Sequence, residues 1–351
     1  MRRLSLIRSA ATPRGGWIVF EYLREFGCLA VLLTVAVGVL HQLTPQPAKS
    51  DAAALATQCP VYGVGLVDDG RKLWINRYGA GLVLVDLESL TELSSLCYLD
   101  SRLTDADVSA MSPTLLSVTS DQFRLRFVRG DGYGHEAALP ASDGLLGDIR
   151  VQADGNAVVA VTSTGMVATW TWNGAGFDVR RDPVEGAALT LAELSADGRW
   201  AALIADNEDV LMFDRKSGLI TARWRAHKVR CSAMAFSADG QRLATGGSDG
   251  LVRVWDRSSG KLVWEANADI LGPAALKFST DGRRLASGGF DKAVRVWNAA
   301  DGHLLTTLGA HSGAVRALAF HPDGNRLYSG SLHGELLEWS LAGQSVLRSI
   351  R

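Results

Sequence analysis

The sequence predicts an all-β fold, a seven-bladed β-propeller preceded by a single N-terminal transmembrane helix. Three observations predict it. Asp-Gly pairs recur at Asp197-Gly198, Asp239-Gly240, Asp281-Gly282 and Asp323-Gly324, at a constant spacing of 42 residues. An independent marker, Phe213, Trp255, Trp297 and Trp339, keeps the same spacing and continues backwards through Trp170, Phe127 and Val85 at steps of 43, 43 and 42. Ahead of the repeats lies Phe26–Leu43, eighteen residues without a charged side chain when His41 is neutral.

The N-terminal segment is read as a basic cytoplasmic leader (1–25), a membrane helix (26–43) and a linker (44–57) before the propeller (58–351). At about 1.5 Å per residue the apolar run just reaches across a hydrocarbon core of about 30 Å. Arg2, Arg3, Arg8, Arg14 and Arg24 precede it, and only Lys49 follows closely. Excess positive charge stays in the cytoplasm, so this asymmetry predicts an inner-membrane, single-pass chain with a periplasmic propeller. The alternative is a cleaved secretory signal, with its apolar run at Cys28–Leu40 and a small-residue site near Ser50-Asp51-Ala52. The long leader and the prolines Pro45 and Pro47 favour an uncleaved signal anchor. A third reading inverts the topology and keeps the propeller in the cytoplasm.

Within each unit the apolar runs are five to seven residues long, separated by Asp, Ser and Gly. Residues 231–265 read CSAMAFS, ADG, QRLATGG, SDG, LVRVWD, RSSG, KLVWEA. Short alternating runs broken by such turns indicate strands, and Asp-Gly supplies the positive φ of tight hairpins. Each unit is therefore a four-stranded antiparallel sheet. One such sheet cannot bury both its faces, whereas seven stacked radially can. Composition agrees, since 47% hydrophobic and 21% charged residues provide for a large core. A formal net charge of −1 with no basic run beyond the leader argues against nucleic acid as a partner. Arginine far outnumbers lysine and Ala and Gly are frequent, which points to a GC-rich bacterial genome.

Val-Trp-Asp at 254–256, Val-Trp-Asn at 296–298 and Glu-Trp-Ser at 338–340 close three units. Ala-Phe-Ser-Ala-Asp-Gly at 235–240 and Ala-Phe-His-Pro-Asp-Gly at 319–324 form first hairpins. These segments resemble the WD40-repeat family of β-propellers. The resemblance is strong over 227–340, fair over 187–226 and confined to spacing and turn chemistry over 58–186. It implies a hydrogen-bonded tetrad of His, Ser or Thr, Asp and Trp in each blade. The fifth unit carries the full set as His227, Thr245, Asp249 and Trp255. The sixth has Ser287, Asp291 and Trp297, with Asp269 in place of the His. The seventh has His311, Ser329 and Trp339, with His333 in place of the Asp. Each blade is expected to be contiguous in sequence, with Gln344–Ile350 as the last outer strand.

The search for chemistry returns little. His227, Thr245 and Asp249 have the composition of a nucleophilic triad, but the trio recurs at blade spacing and reads as a buried structural network. The histidines are scattered and no CxxC or HxxxH spacing occurs, so no metal and no cofactor is expected. Cys59 and Cys97 flank the first unit. As a disulfide outside the cytoplasm they would contribute about 3–4 kcal/mol, and as unpaired thiols they are small core residues. Cys231 matches Val315 and is expected to be buried and inert.

What remains is surface. Loops on a rigid scaffold carry binding residues. The resemblance places family partners on one face, where Arg230, Ser248, Phe290 and Arg316 stand in this chain. The expected function is a scaffold for other proteins, those of the envelope, with no enzymatic activity. The alternative is a ligand- or substrate-handling propeller, an enzyme or redox subunit, that works through its central channel.

Overall fold

The turns between the apolar runs explain why each unit folds as strands. In the hairpin Ser237–Gln241, Asp239 Oδ1 accepts from Ser237 Oγ at 2.5 Å and from Gln241 N–H at 3.0 Å, while Gly240 takes φ 65°. Ser195-Asp197 and Ser279-Asp281 repeat the arrangement. In the last unit His321 stands where the serine was, and Asp323 N–H donates to its Nδ1 at 3.1 Å. Short polar side chains satisfy the turn backbone, and glycine carries the positive φ.

The computed structural model describes residues 59–67, 70–77, 81–96, 105–108, 117–121, 124–128, 134–138, 146–152, 155–184 and 188–350. Its strands pair in consecutive fours into seven antiparallel sheets. They are numbered here in chain order: 61–96, 105–138, 146–183, 189–225, 231–267, 273–309 and 315–350. The first strands of successive sheets lie side by side, and sheet 7 returns to sheet 1.

Packing distinguishes six of these sheets. Sheets 5 and 6 share a core that includes Val254, Phe278, Leu285 and Trp297. Sheets 6 and 7 share Val296, Phe320 and Trp339, and sheets 7 and 1 share Tyr328, Leu336, Val61 and Ile75. Sheets 3, 4 and 5 are joined in the same way through Val161, Leu203, Phe213, Met212 and Trp255. Sheet 2 is described by its backbone. Its strands are four or five residues long and read DADV, SVTSD, RLRFV and GHEAA. Sheet 3, by contrast, has the wholly buried strand AVVAVT.

The expectation of seven like blades behind a membrane helix is therefore corrected. Six packed blades are established, and spacing alone overstated the equivalence of the polar second unit. Among the described residues, no helix is long and apolar enough to cross a membrane. The predicted leader, span and linker lie outside those residues, as does Cys97.

One joint recurs between blades. A Cβ added to Gly246, Gly288 or Gly330 would come closer than 3.0 Å to Pro273, Val315 or Val61 respectively, each the first residue of the next sheet. Glycine at this step lets neighbouring backbones approach. The contact between sheets 7 and 1 is thus of the same kind as those between 5 and 6 and between 6 and 7. It is reinforced by Arg77 Nη1, which donates to Gly334 O at 3.0 Å, and by His321 Nε2, 3.2 Å from Gly70 O. The ring closes without exchange of strands, since each sheet is contiguous in sequence.

The outer strands carry a second recurrent feature. Pairing with the third strand slips by one residue at Trp255, Trp297 and Trp339. Such a bulge turns two neighbouring side chains outward and sharpens the twist. Leu262 and Val263, Leu304 and Leu305, and Val346 and Leu347 are the exposed pairs that result.

Candidate interaction face

Because consecutive strands are antiparallel, the start of each first strand and the end of each second strand share one end of the sheet. The segments 226–230, 247–250, 268–272, 289–292, 310–314 and 331–335 therefore crown one face of sheets 5 to 7. Beneath them lie the polar groups that hold the face in place.

In sheet 5 the Trp255 indole N–H donates to Thr245 Oγ1 at 2.8 Å. Thr245 Oγ1 is 2.9 Å from His227 Nε2, and His227 Nδ1 is 2.9 Å from Asp249 Oδ1. The indole donates to the hydroxyl, which leaves the hydroxyl to donate to Nε2 and Nδ1–H to the carboxylate, with Arg253 Nη1 also 2.6 Å from Nδ1. Burial pulls the His227 imidazole below its ordinary value, although Asp249 pulls the other way. The ring is thus neutral, as this order requires. Burial acts to raise Asp249, and Arg253 and His227 outweigh it and hold the carboxyl below the usual range. Thr245 is fully buried, so its hydroxyl meets no substrate.

Sheet 7 builds the same network from a different acid. Trp339 Nε1 donates to Ser329 Oγ at 2.6 Å, and Ser329 Oγ lies 2.6 Å from His311 Nε2. The partner of His311 Nδ1 is Glu335 Oε2, at 3.1 Å. Glu335 also accepts from Ser312 N–H at 2.8 Å, Ser312 Oγ at 2.7 Å and Ser331 Oγ at 3.1 Å. Burial acts to raise this carboxyl, but the Ser312, His311 and Ser331 donors lower it to about 2. His333, which occupies the aspartate's place in the sequence, is exposed, with Nδ1 3.0 Å from Ser312 Oγ. Since the Ser312 hydroxyl proton goes to Glu335, Ser312 and His333 do not form a nucleophile–base pair.

Sequence reasoning missed Glu335 because it sits two residues beyond the aligned position and reaches back with a longer side chain. The signal was present: Leu251 and Ala293 stand at the equivalent step, where a carboxylate is out of pattern.

In sheet 6 the Trp297 indole donates to Ser287 Oγ at 2.9 Å. Asp269, in the histidine's place, is buried and accepts from Asp291 N–H at 2.9 Å and from Leu271 N–H at 3.1 Å. Asp291 is ion-paired with Arg295 at 2.5 Å. Asp269 thus anchors the loop through backbone groups and leaves Ile270 and Leu271 turned to solvent, 91% and 63% exposed.

The surface residues singled out from sequence lie around this loop. Arg230 and Ser248 are exposed, and Ser248 N–H donates to Arg230 O at 2.8 Å. Phe290 and Arg316 are half-buried, with the guanidinium carbon 5.2 Å from the ring centroid. Cys231 is buried, and desolvation pushes its thiol up to about 12. Cys59 is half-buried, and burial raises its thiol against the opposing pull of Arg77. Its predicted partner Cys97 lies outside the described residues.

The buried histidines make stability depend on pH. The folded values of His227 and His311 are both depressed by burial. The unfolded chain therefore binds more protons in mild acid, and the histidine contribution, complete above about 6.5, is lost as pH falls. Glu335 adds a second, more acidic limb between about 4.5 and about 2. Melting followed by circular dichroism is expected to show the midpoint falling from about pH 7 to about pH 5. A His227→Asn/His311→Asn variant melts lower at neutral pH but shows a flatter slope across that interval. An unchanged slope would refute the assignment.

A family model for the WD domain, G-beta repeat, matches residues 218–256, 270–298 and 302–340. These three segments are WD40 repeats. No curated protein shows a significant match to the chain.

Proposed function

We propose that this WD40-repeat propeller is a non-enzymatic scaffold that gathers other proteins on the face crowned by segments 226–230, 247–250, 268–272 and 289–292. WD40 propellers commonly act in this way. The observation that carries the reading is a division of labour. Beneath the face, His227, His311, Asp249 and Glu335 are tied into internal networks, while Arg230, Ser248, Ile270 and Leu271 are presented outward. Rigid support with displayed arginine and apolar side chains suits protein recognition.

The test is purification of the native chain in mild detergent with identification of stoichiometric companions. An Arg230→Ala/Arg316→Ala variant is expected to lose them. Retention of every companion by that variant would sink the assignment of the face.

The reading extends to location. The uncharged run 26–43 behind five arginines supports placement of the propeller on the periplasmic side of an inner membrane, where its companions would be envelope proteins. A C-terminal alkaline phosphatase fusion, active only after export, tests this directly. An inactive but intact fusion would return the propeller to the cytoplasm.

A further inference from the structure

We propose that the strip centred on loop 268–272 binds an extended acidic segment of a partner protein, one that carries apolar side chains between its carboxylates. The proposal rests on the interaction reading above and names the chemistry of the partner.

The strip is continuous. Ser248 N–H bonds Arg230 O at 2.8 Å, Ala268 N–H bonds Gly250 O at 2.9 Å, and Asp291 N–H bonds Asp269 Oδ2 at 2.9 Å. These bonds tie segments 228–230, 247–250, 268–272 and 289–292 into one row, which ends where Arg316 stacks on Phe290. Its apolar members are Val229, Ile270 and Leu271, and Ile270 is the most exposed large apolar side chain among the described residues. The exposed pairs on the outer strands have a local cause in the bulge, whereas Ile270 and Leu271 are held outward by an anchored loop. Gly272, at φ 89°, lies so close to Gly247 O that a Cβ would collide with it, which leaves the loop no room to fold inward. An exposed apolar patch rimmed by polar groups marks an interaction site.

Charge identifies the occupant. Asp249 is engaged by His227 and Arg253, Asp269 by two backbone N–H groups, and Asp291 by Arg295. Lys228, Arg230 and Lys292 are exposed, and among the described residues none of them pairs with a carboxylate. The charge available to a partner is therefore positive, on a chain whose net charge is −1. A row of free cations alternating with apolar side chains complements an extended segment of alternating acidic and apolar residues. A lipid surface fits less well, because three cations on a chain of net charge −1 do not make the broad basic face that anionic lipids select.

The experiment is selection of the full chain against a random-peptide display library, followed by fluorescence anisotropy on a selected peptide. Enrichment of Asp and Glu beside Leu, Ile or Phe is expected, with binding weakened by added salt. Ile270→Ser/Leu271→Ser and Lys228→Glu/Arg230→Glu are each expected to weaken binding about ten-fold or more. All four residues are surface-exposed, and an unchanged melting midpoint shows that the variants fold. Selection without acidic enrichment, or affinity indifferent to both variants, overturns the proposal. So does binding to phosphatidylserine vesicles, rather than to peptides, that both variants abolish. If native companions are retained by the Ile270→Ser/Leu271→Ser variant, the strip fails and the scaffold reading stands. If the wild-type chain has no companions, the scaffold reading itself fails.

Discussion

Replacing Trp255 by alanine is expected to destabilise the propeller by about 3–5 kcal/mol, the range for removing a large buried aromatic side chain. Two losses combine. The indole packs between sheets 4 and 5, against Met212, Met234 and Phe236, with the Trp224 ring 6.1 Å away. It also supplies the donor to Thr245, at the head of the chain that runs through His227 to Asp249. Trp255→Phe separates the two. Much of the packing survives while the hydroxyl loses its donor, and a cost of about 1–3 kcal/mol is expected. Chemical denaturation of both variants checks this, and a Trp255→Phe cost near zero would mean that the hydrogen bond contributes nothing.

Gly330→Val carries the second large effect. The new Cβ meets Val61, fully buried at the first position of the ring, so backbone must shift where sheet 7 meets sheet 1. Overpacking of this kind costs about 1–3 kcal/mol, and more where neither side can yield. The site should matter beyond its magnitude, because it lies at the one joint between the two ends of the ring. Hydrogen exchange is expected to rise first in 61–77 and 315–331, ahead of sheets 5 and 6. Uniform exchange across all sheets would show that the ring opens elsewhere. Gly246→Ala serves as comparison at an interior joint, where its neighbour is Pro273.

What could be read from the sequence follows physical range. The 42-residue period, the hairpin turns and the network of His227, Thr245, Asp249 and Trp255 depend on local pattern, and the strands stand where the apolar runs are. The second unit misled, because its marker Phe127 keeps the spacing while its strands are short and polar. Glu335 was hidden by alignment, since a longer side chain two residues on does the work of the missing aspartate. The joint from Gly330 to Val61 and the bond from Arg77 to Gly334 span nearly the whole propeller, so no short window of sequence contains both partners. Asp269 was noticed only as a missing histidine. That it would hold a backbone loop and push Ile270 and Leu271 into solvent requires the fold.

The slipped register beside Trp255, Trp297 and Trp339 also bears on how molecules behave in a crowd. A propeller presents the free edge of every blade to its surroundings, and in sheets 5 to 7 those edges carry exposed Leu and Val. A flat edge of that composition would template a strand from another molecule and seed aggregates. The extra residue at Val263, Leu305 and Leu347 twists these three edges, so that a foreign strand cannot follow them for more than a few hydrogen bonds. The irregularity that leaves apolar side chains in water is thus also what keeps one copy from adding itself to the next.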